Sequence, residues 1–112
     1  MKAKELTASK ANGRIYTPGY IVDNILDLSG YTQNNVIRKH VIDNSCGDGA
    51  FLTKIVDRYC KQAQIKKYNP AELKQELETY IHGIEIDSVE CEKCIKNVTA
   101  IAMQYGIENV RW

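Results

Sequence analysis

Proline is scarce in this chain: it has two in 112 residues, Pro18 and Pro70, and they are not adjacent. Any motif built on consecutive prolines is therefore excluded. An excess of one charge is also lacking, since 15 Lys and Arg meet 14 Asp and Glu for a formal net charge of +1. Composition alone thus shows no basic footprint of the kind nucleic-acid binding leaves. No apolar run reaches the roughly 18 residues of a membrane span, so no membrane partner is expected. The opening MKAKELTASKANGR lacks the apolar segment of a signal peptide. Without a secretion signal, Cys46, Cys60, Cys91 and Cys94 read as thiols rather than a disulfide framework, and a cytoplasmic location is expected.

The length allows one small domain. Residues 1–14 are polar and lysine-rich with no lasting period, which predicts a mobile arm. Thr17-Pro18 predicts a helix start, with the hydroxyl as cap and proline in the first turn. Ile21, Val22, Ile25 and Leu26 then share one face, and Ser29-Gly30 closes the helix. HVID (40–43) predicts a short buried strand. Phe51, Leu52, Ile55, Val56 and Tyr59 mark a helix from near Ala50 to about Gln64. Asn69-Pro70 starts another helix, IHGIEID (81–87) reads as a second strand, and Ser88 is expected to cap a last helix. That helix is expected to turn Val89, Ile95, Val98, Ile101, Ala102 and Tyr105 inward and to end at Gly106. NVRW (109–112) reads as the start of a third strand. This order predicts an α/β chain with about three parallel strands and flanking helices, the first part of a larger sheet buried on both faces.

The chemistry concentrates in VIDNSCGDGAF (41–51). A strand, a turn with Gly47 and Gly49, and then a helix allow a nucleotide-like ligand to approach backbone N–H groups closely. Glu85, at the end of the second strand, is placed to accept hydrogen bonds from ribose hydroxyls. A dinucleotide fingerprint fits poorly, because Leu52 stands where the third glycine would be, and Glu85 lies 36 residues beyond Gly49 instead of about 20. Asp43 and Asp48 would repel a pyrophosphate but attract an ammonium and a sulfonium. S-adenosylmethionine carries both.

GRIYTP (13–18), VIDNSCGDGAFL (41–52) and HGIEID (82–87), in this order, resemble the N6-adenine DNA methyltransferases of restriction-modification systems. The arrangement is of the gamma type, in which the cofactor-binding helix precedes the glycine motif. The resemblance implies a partial Rossmann-like class I methyltransferase fold, with residues 15–112 as the N-terminal part of the cofactor domain. It implies that Thr17 and Pro18 touch the cofactor's methionine carboxylate, with Tyr16 closing over it. Asp43 would hold the ammonium, and Ser45, Cys46 and Gly47 would line the turn. Gly49 would permit close approach, Glu85 would bind the ribose, and Ile86 would pack on the adenine. Asn44 departs from the family's usual proline.

The family's catalytic Asn/Asp-Pro-Pro-aromatic motif is absent, since the two prolines are apart, so no catalytic residue is expected here and the chain alone is expected to be inactive. YNPAEL (68–73) reads as a helix cap rather than a substitute. CEKC (91–94) has no second C-x-x-C, so no metal site is expected, and Cys46 reads as packing under the turn. Lys2, Lys4, Lys10 and Arg14 suit either DNA phosphate in a complete enzyme or a solvated tail. Three alternatives stay open: a class I methyltransferase for RNA, protein or a small molecule, a nicotinamide-binding protein, and a non-catalytic module that forms a homodimer through its open sheet edge.

Overall fold

A computed structural model describes residues 17–112, so the expected arm and Tyr16 lie outside the described residues. The elements run α1 (Gly19–Leu28), β1 (Val41–Asp43), α2 (Ala50–Ile65), α3 (Pro70–Tyr80), β2 (Ile81–Gly83) and α4 (Ser88–Gln104). The two strands are parallel, with Val41 opposite Ile81 and Asp43 opposite Gly83. Two further bonds carry the pairing beyond the strands: Ile84 N–H to the Asp43 carbonyl at 2.8 Å, and Cys46 N–H to the Ile84 carbonyl at 3.1 Å.

The central element is α2, which packs against α1, α3, α4 and β2. Its stripe of Leu52, Ile55, Val56, Tyr59 and Ala63 is buried, as the 3.6-residue period requires of a helix with neighbours on several sides. Arg58 fastens α1 from below, donating to Asp27 Oδ1 at 2.7 Å and to the Tyr31 carbonyl at 2.9 Å. At the far end of α4 the Tyr105 hydroxyl donates to Asp57 of α2 at 2.5 Å. Among the described residues no helix is long and apolar enough to cross a membrane.

Some expectations need correction. Thr17 caps nothing: the N-cap of α1 is Pro18, without a side-chain bond, and its carbonyl receives the Ile21 and Val22 N–H groups. Asp87, not Ser88, caps α4, because its carboxylate reaches the N–H of both Val89 and Glu90. That helix turns Glu90 and Cys94 inward and leaves Val89 and Ile95 exposed. β2 stops at Gly83. The sheet is not buried on both faces either, since Ile42 is 58% exposed.

The third strand does not form, and the sheet has two strands among the described residues. Asn109 sits at φ 59°, which breaks extended backbone at the first residue of the expected strand. Beyond it the Arg111 N–H goes to Glu78 Oε2 at 2.9 Å, and the Trp112 indole N–H goes to Thr99 Oγ1 at 3.0 Å. The Arg111 backbone donor is thus spent on an α3 side chain rather than on a ladder, and the Trp112 ring is held against α4.

Candidate functional site

The loop after β1 is built by short-range bonding. Asp43 is buried, and its Oδ1 accepts the Ser45 N–H at 3.0 Å, which turns the chain as soon as the strand ends. Gly49 N–H then closes on the Cys46 carbonyl at 2.8 Å. Gly47 at φ 53° and Gly49 at φ 95° both lie in the left-handed region, where a side chain would be strained. Gly49 is the N-cap of α2 and has no side chain to cap it.

The acid after β2 meets this loop. Glu85 Oε1 accepts the Gly47 N–H at 2.8 Å, and its Oε2 accepts the Asp87 N–H at 3.0 Å. One carboxylate thus joins two segments that the sequence places at the ends of neighbouring strands. Next to it Ile86 is 97% exposed, an apolar surface projecting beside the acid. α1 starts near the same end of the sheet: a methyl placed on Gly19 would lie 3.6 Å from Lys54 Cε, one turn into α2.

Of the residues singled out from sequence, Asp43, Ser45, Cys46, Gly47, Gly49 and Glu85 come together in this loop, and Ile86 flanks it. Thr17 and Pro18 stand at the head of α1. Gly49 has a packing role that the sequence did not show, because a Cβ there would sit 3.2 Å from Cys94 Sγ in α4. Asn97 of α4, which sequence reasoning missed, donates from Nδ2 to the Asp48 carbonyl at 2.8 Å. Nothing in its spacing could have shown that contact.

Behind the loop a cavity of about 120 Å³ is lined by Cys46, Leu52, Gly83, Cys91, Cys94 and Trp112, among others. All four cysteines are free thiols. A hydrogen bond to Cys46, and then burial, push the Cys94 thiol well up, and burial pushes Cys60 up to about 12. Buried thiols held protonated are poor nucleophiles, so Cys60 and Cys94 act in packing, and Cys46 is buried beside Cys94. No group of three or more His, Cys, Asp or Glu among the described residues is placed to hold a metal ion. With an aromatic disulfide reagent at neutral pH, half-buried Cys91 should react first and the other three thiols only as fast as the chain opens. An absorbance trace of wild type and Cys91→Ser checks this, and three fast thiols would contradict it.

A glycine turn after one parallel strand, tied to an acid after its neighbour, is an arrangement found at the strand ends of α/β folds. The chain matches the N-6 DNA Methylase family over residues 2–109 and belongs to that family. It is 41% identical over 78 residues to the Type II methyltransferase M.BstVI of Geobacillus stearothermophilus, covering 69% of this chain and 14% of that protein. It is 30% identical over 112 residues to the Type II methyltransferase M.PaeR7I of Pseudomonas aeruginosa, covering 96% of this chain and 19% of that protein. The chain therefore spans less than a fifth of the length of either relative. No solved structure matches it.

Proposed function

We propose that residues 15–112 are the N-terminal part of an S-adenosylmethionine-binding domain, from an N6-adenine DNA methyltransferase of a restriction-modification system. The observation that carries this reading is the 2.8 Å bond between the Gly47 N–H and Glu85. It brings the ribose-binding acid onto the turn that would approach the rest of the ligand. The donor set fits the cofactor. A carboxylate has about four acceptor sites, and that of Glu85 uses two of them on backbone N–H groups, so acceptor capacity remains for ribose hydroxyls. Exposed Ile86 offers an apolar surface to a flat base, and buried Asp43 suits the ammonium. Thr17, Pro18 and Tyr16 would meet the methionine carboxylate, while Ser45 and Cys46 line the turn.

When bound, the cofactor supplies an electrophilic methyl on sulfonium. This chain's residues bind and orient it. They carry no base chemistry, because no Asn/Asp-Pro-Pro-aromatic motif occurs in the 112 residues. DNA would be the partner of the complete enzyme, working in the cytoplasm. Among the described residues β1 pairs only with β2, and its free edge beside Ile42 is the surface where a second copy would pair to form a homodimer.

Calorimetric titration of S-adenosylhomocysteine and NAD into wild type and Glu85→Ala tests the cofactor. Only the homocysteine analogue should bind, weakly. Glu85→Ala should weaken it by roughly 10-fold or more, the worth of a hydrogen bond to a charged group. Equal affinity in the variant, or preference for NAD, would overturn the reading.

A further inference from the structure

The turn after β1 is held from outside by one backbone bond, from the Cys46 N–H to the Ile84 carbonyl at 3.1 Å, and by two side-chain tethers. The Gly47 N–H is bound by Glu85, and the Asp48 carbonyl is bound by Asn97, both at 2.8 Å. Within the turn the Ser45 N–H goes to Asp43 Oδ1 and the Gly49 N–H to the Cys46 carbonyl. Two glycines at positive φ leave such a segment many other conformations in a free chain. The outside tethers therefore do much to select this one.

The two tethers differ in what a ligand does to them. Glu85 is the proposed ribose acceptor, so ribose hydroxyls compete with Gly47 for the same carboxylate. Asn97 does not draw on Glu85. It reaches the turn from α4, through the carbonyl of the Asp48–Gly49 peptide, and its hold persists whichever partner Glu85 takes. The same helix closes on the turn one step earlier, where a Cβ on Gly49 would press on Cys94 Sγ at 3.2 Å.

We infer that Asn97 is a positioning residue for the cofactor turn: its amide fixes the Asp48–Gly49 peptide while Glu85 divides its carboxylate between Gly47 and the ribose. The inference rests on the cofactor reading above. It goes beyond the residues that the methyltransferase resemblance brings in, all of which lie before α4.

The test begins on the ligand-free chain, by amide hydrogen exchange expressed as protection relative to wild type at the same pH. Asn97→Ala should lower protection at Gly49 by roughly 2- to 10-fold, the effect of losing one hydrogen bond. Leu73 and Leu77 of α3 should be unchanged. Asn97→Asp separates positioning from simple fastening of α4. Ionised, it has no donor for the Asp48 carbonyl and should behave like Asn97→Ala at pH 7.5. Protonated, it regains a donor, so protection at Gly49 should recover as pH falls through the carboxyl range, roughly pH 5 to 3. Affinity for S-adenosylhomocysteine, titrated to millimolar concentration, should fall by a similar factor in Asn97→Ala.

Unchanged Gly49 protection in both variants would overturn the inference, and so would an equal loss at Leu73 and Leu77. A response at Gly49 in a wild-type chain that takes up no ligand even at millimolar concentration would instead overturn the cofactor reading.

Discussion

Tyr59→Ala is expected to remove about 3–5 kcal/mol of stability, the usual cost of truncating a fully buried aromatic. Tyr59 is among the largest side chains with no exposed surface. It is also a junction. Its hydroxyl donates to Glu76 Oε1 at 2.5 Å and accepts the Arg38 backbone N–H at 3.0 Å. The residue it receives from, Arg38, is at φ 60°, a strained conformation for a side-chain-bearing residue that surrounding contacts must hold. Burial, and then the bond to Glu76, keep the phenol protonated well above its ordinary range, so the donor persists throughout the working pH range. Small domains hold about 5–15 kcal/mol in all, and a chain of this size sits in the lower part of that range. Urea unfolding followed by circular dichroism should find Tyr59→Ala largely unfolded at 37 °C. Tyr59→Phe should lose about 1–3 kcal/mol, from the polar partners left behind. Leu28→Ala, at a side chain 89% exposed, should stay within about 0.5 kcal/mol of wild type. A Tyr59→Ala midpoint equal to that of Leu28→Ala would show that the tyrosine is not a support of the core.

Gly83→Ala should cost stability and ligand binding together. A Cβ at Gly83 would stand 2.5 Å from Leu52 Cδ1, 3.0 Å from Cys46 Sγ and 3.1 Å from Cys46 Cβ. The Leu52 methyl is the end of a flexible side chain, but Leu52 is buried in the core and Cys46 belongs to the turn itself. Relief at either atom moves α2 or the turn away from β2. Overpacking of this kind costs about 1–3 kcal/mol. At roughly 4–8 °C per kcal/mol for a domain near 100 residues, thermal melts should show a fall of about 4 °C or more. The loss of S-adenosylhomocysteine affinity should persist at 10 °C, where the variant remains folded. A variant that melts lower yet binds normally would mean that the turn tolerates displacement of Cys46.

The parts of this structure legible in the sequence are those fixed by local chemistry. Asn69 and Glu72 form a reciprocal cap at the start of α3, and Gly106 at φ 79° follows the end of α4. Both could be read from neighbouring residues alone. In α4 the expected Val98 and Ala102 are buried and Ile101 and Tyr105 pack against the core, but the first turns could not be read, because Val89 and Ile95 offer as apolar a stripe as the face that is buried. There tertiary packing against Gly49 selected Cys94. The third strand failed for a similar reason: Asn109 adopts a turn conformation that β-branched neighbours do not reveal. In the site, strand-end logic found Glu85 and the glycines, since both follow from where parallel strands terminate. It could not find Asn97, because no periodicity connects a helix residue to a carbonyl far upstream.

That separation has a consequence for how the site comes into being. Gly47 and Glu85 are 38 residues apart, and Asp48 and Asn97 are 49 apart. Each contact closes a long loop, and the entropy of closure is spent before the contact returns anything. Helices α2 and α3 can form while the chain is still emerging from the ribosome, but the turn between β1 and α2 has no outside support until Ile84 and Glu85 have been made, and lacks the Asn97 tether until α4 has docked. The glycine turn is thus among the last features of the chain to acquire its full set of contacts. A ligand that binds only the finished loop would draw the whole chain toward the folded state by mass action. Under the proposed cofactor reading, supply of that ligand during synthesis would govern how much of the protein matures.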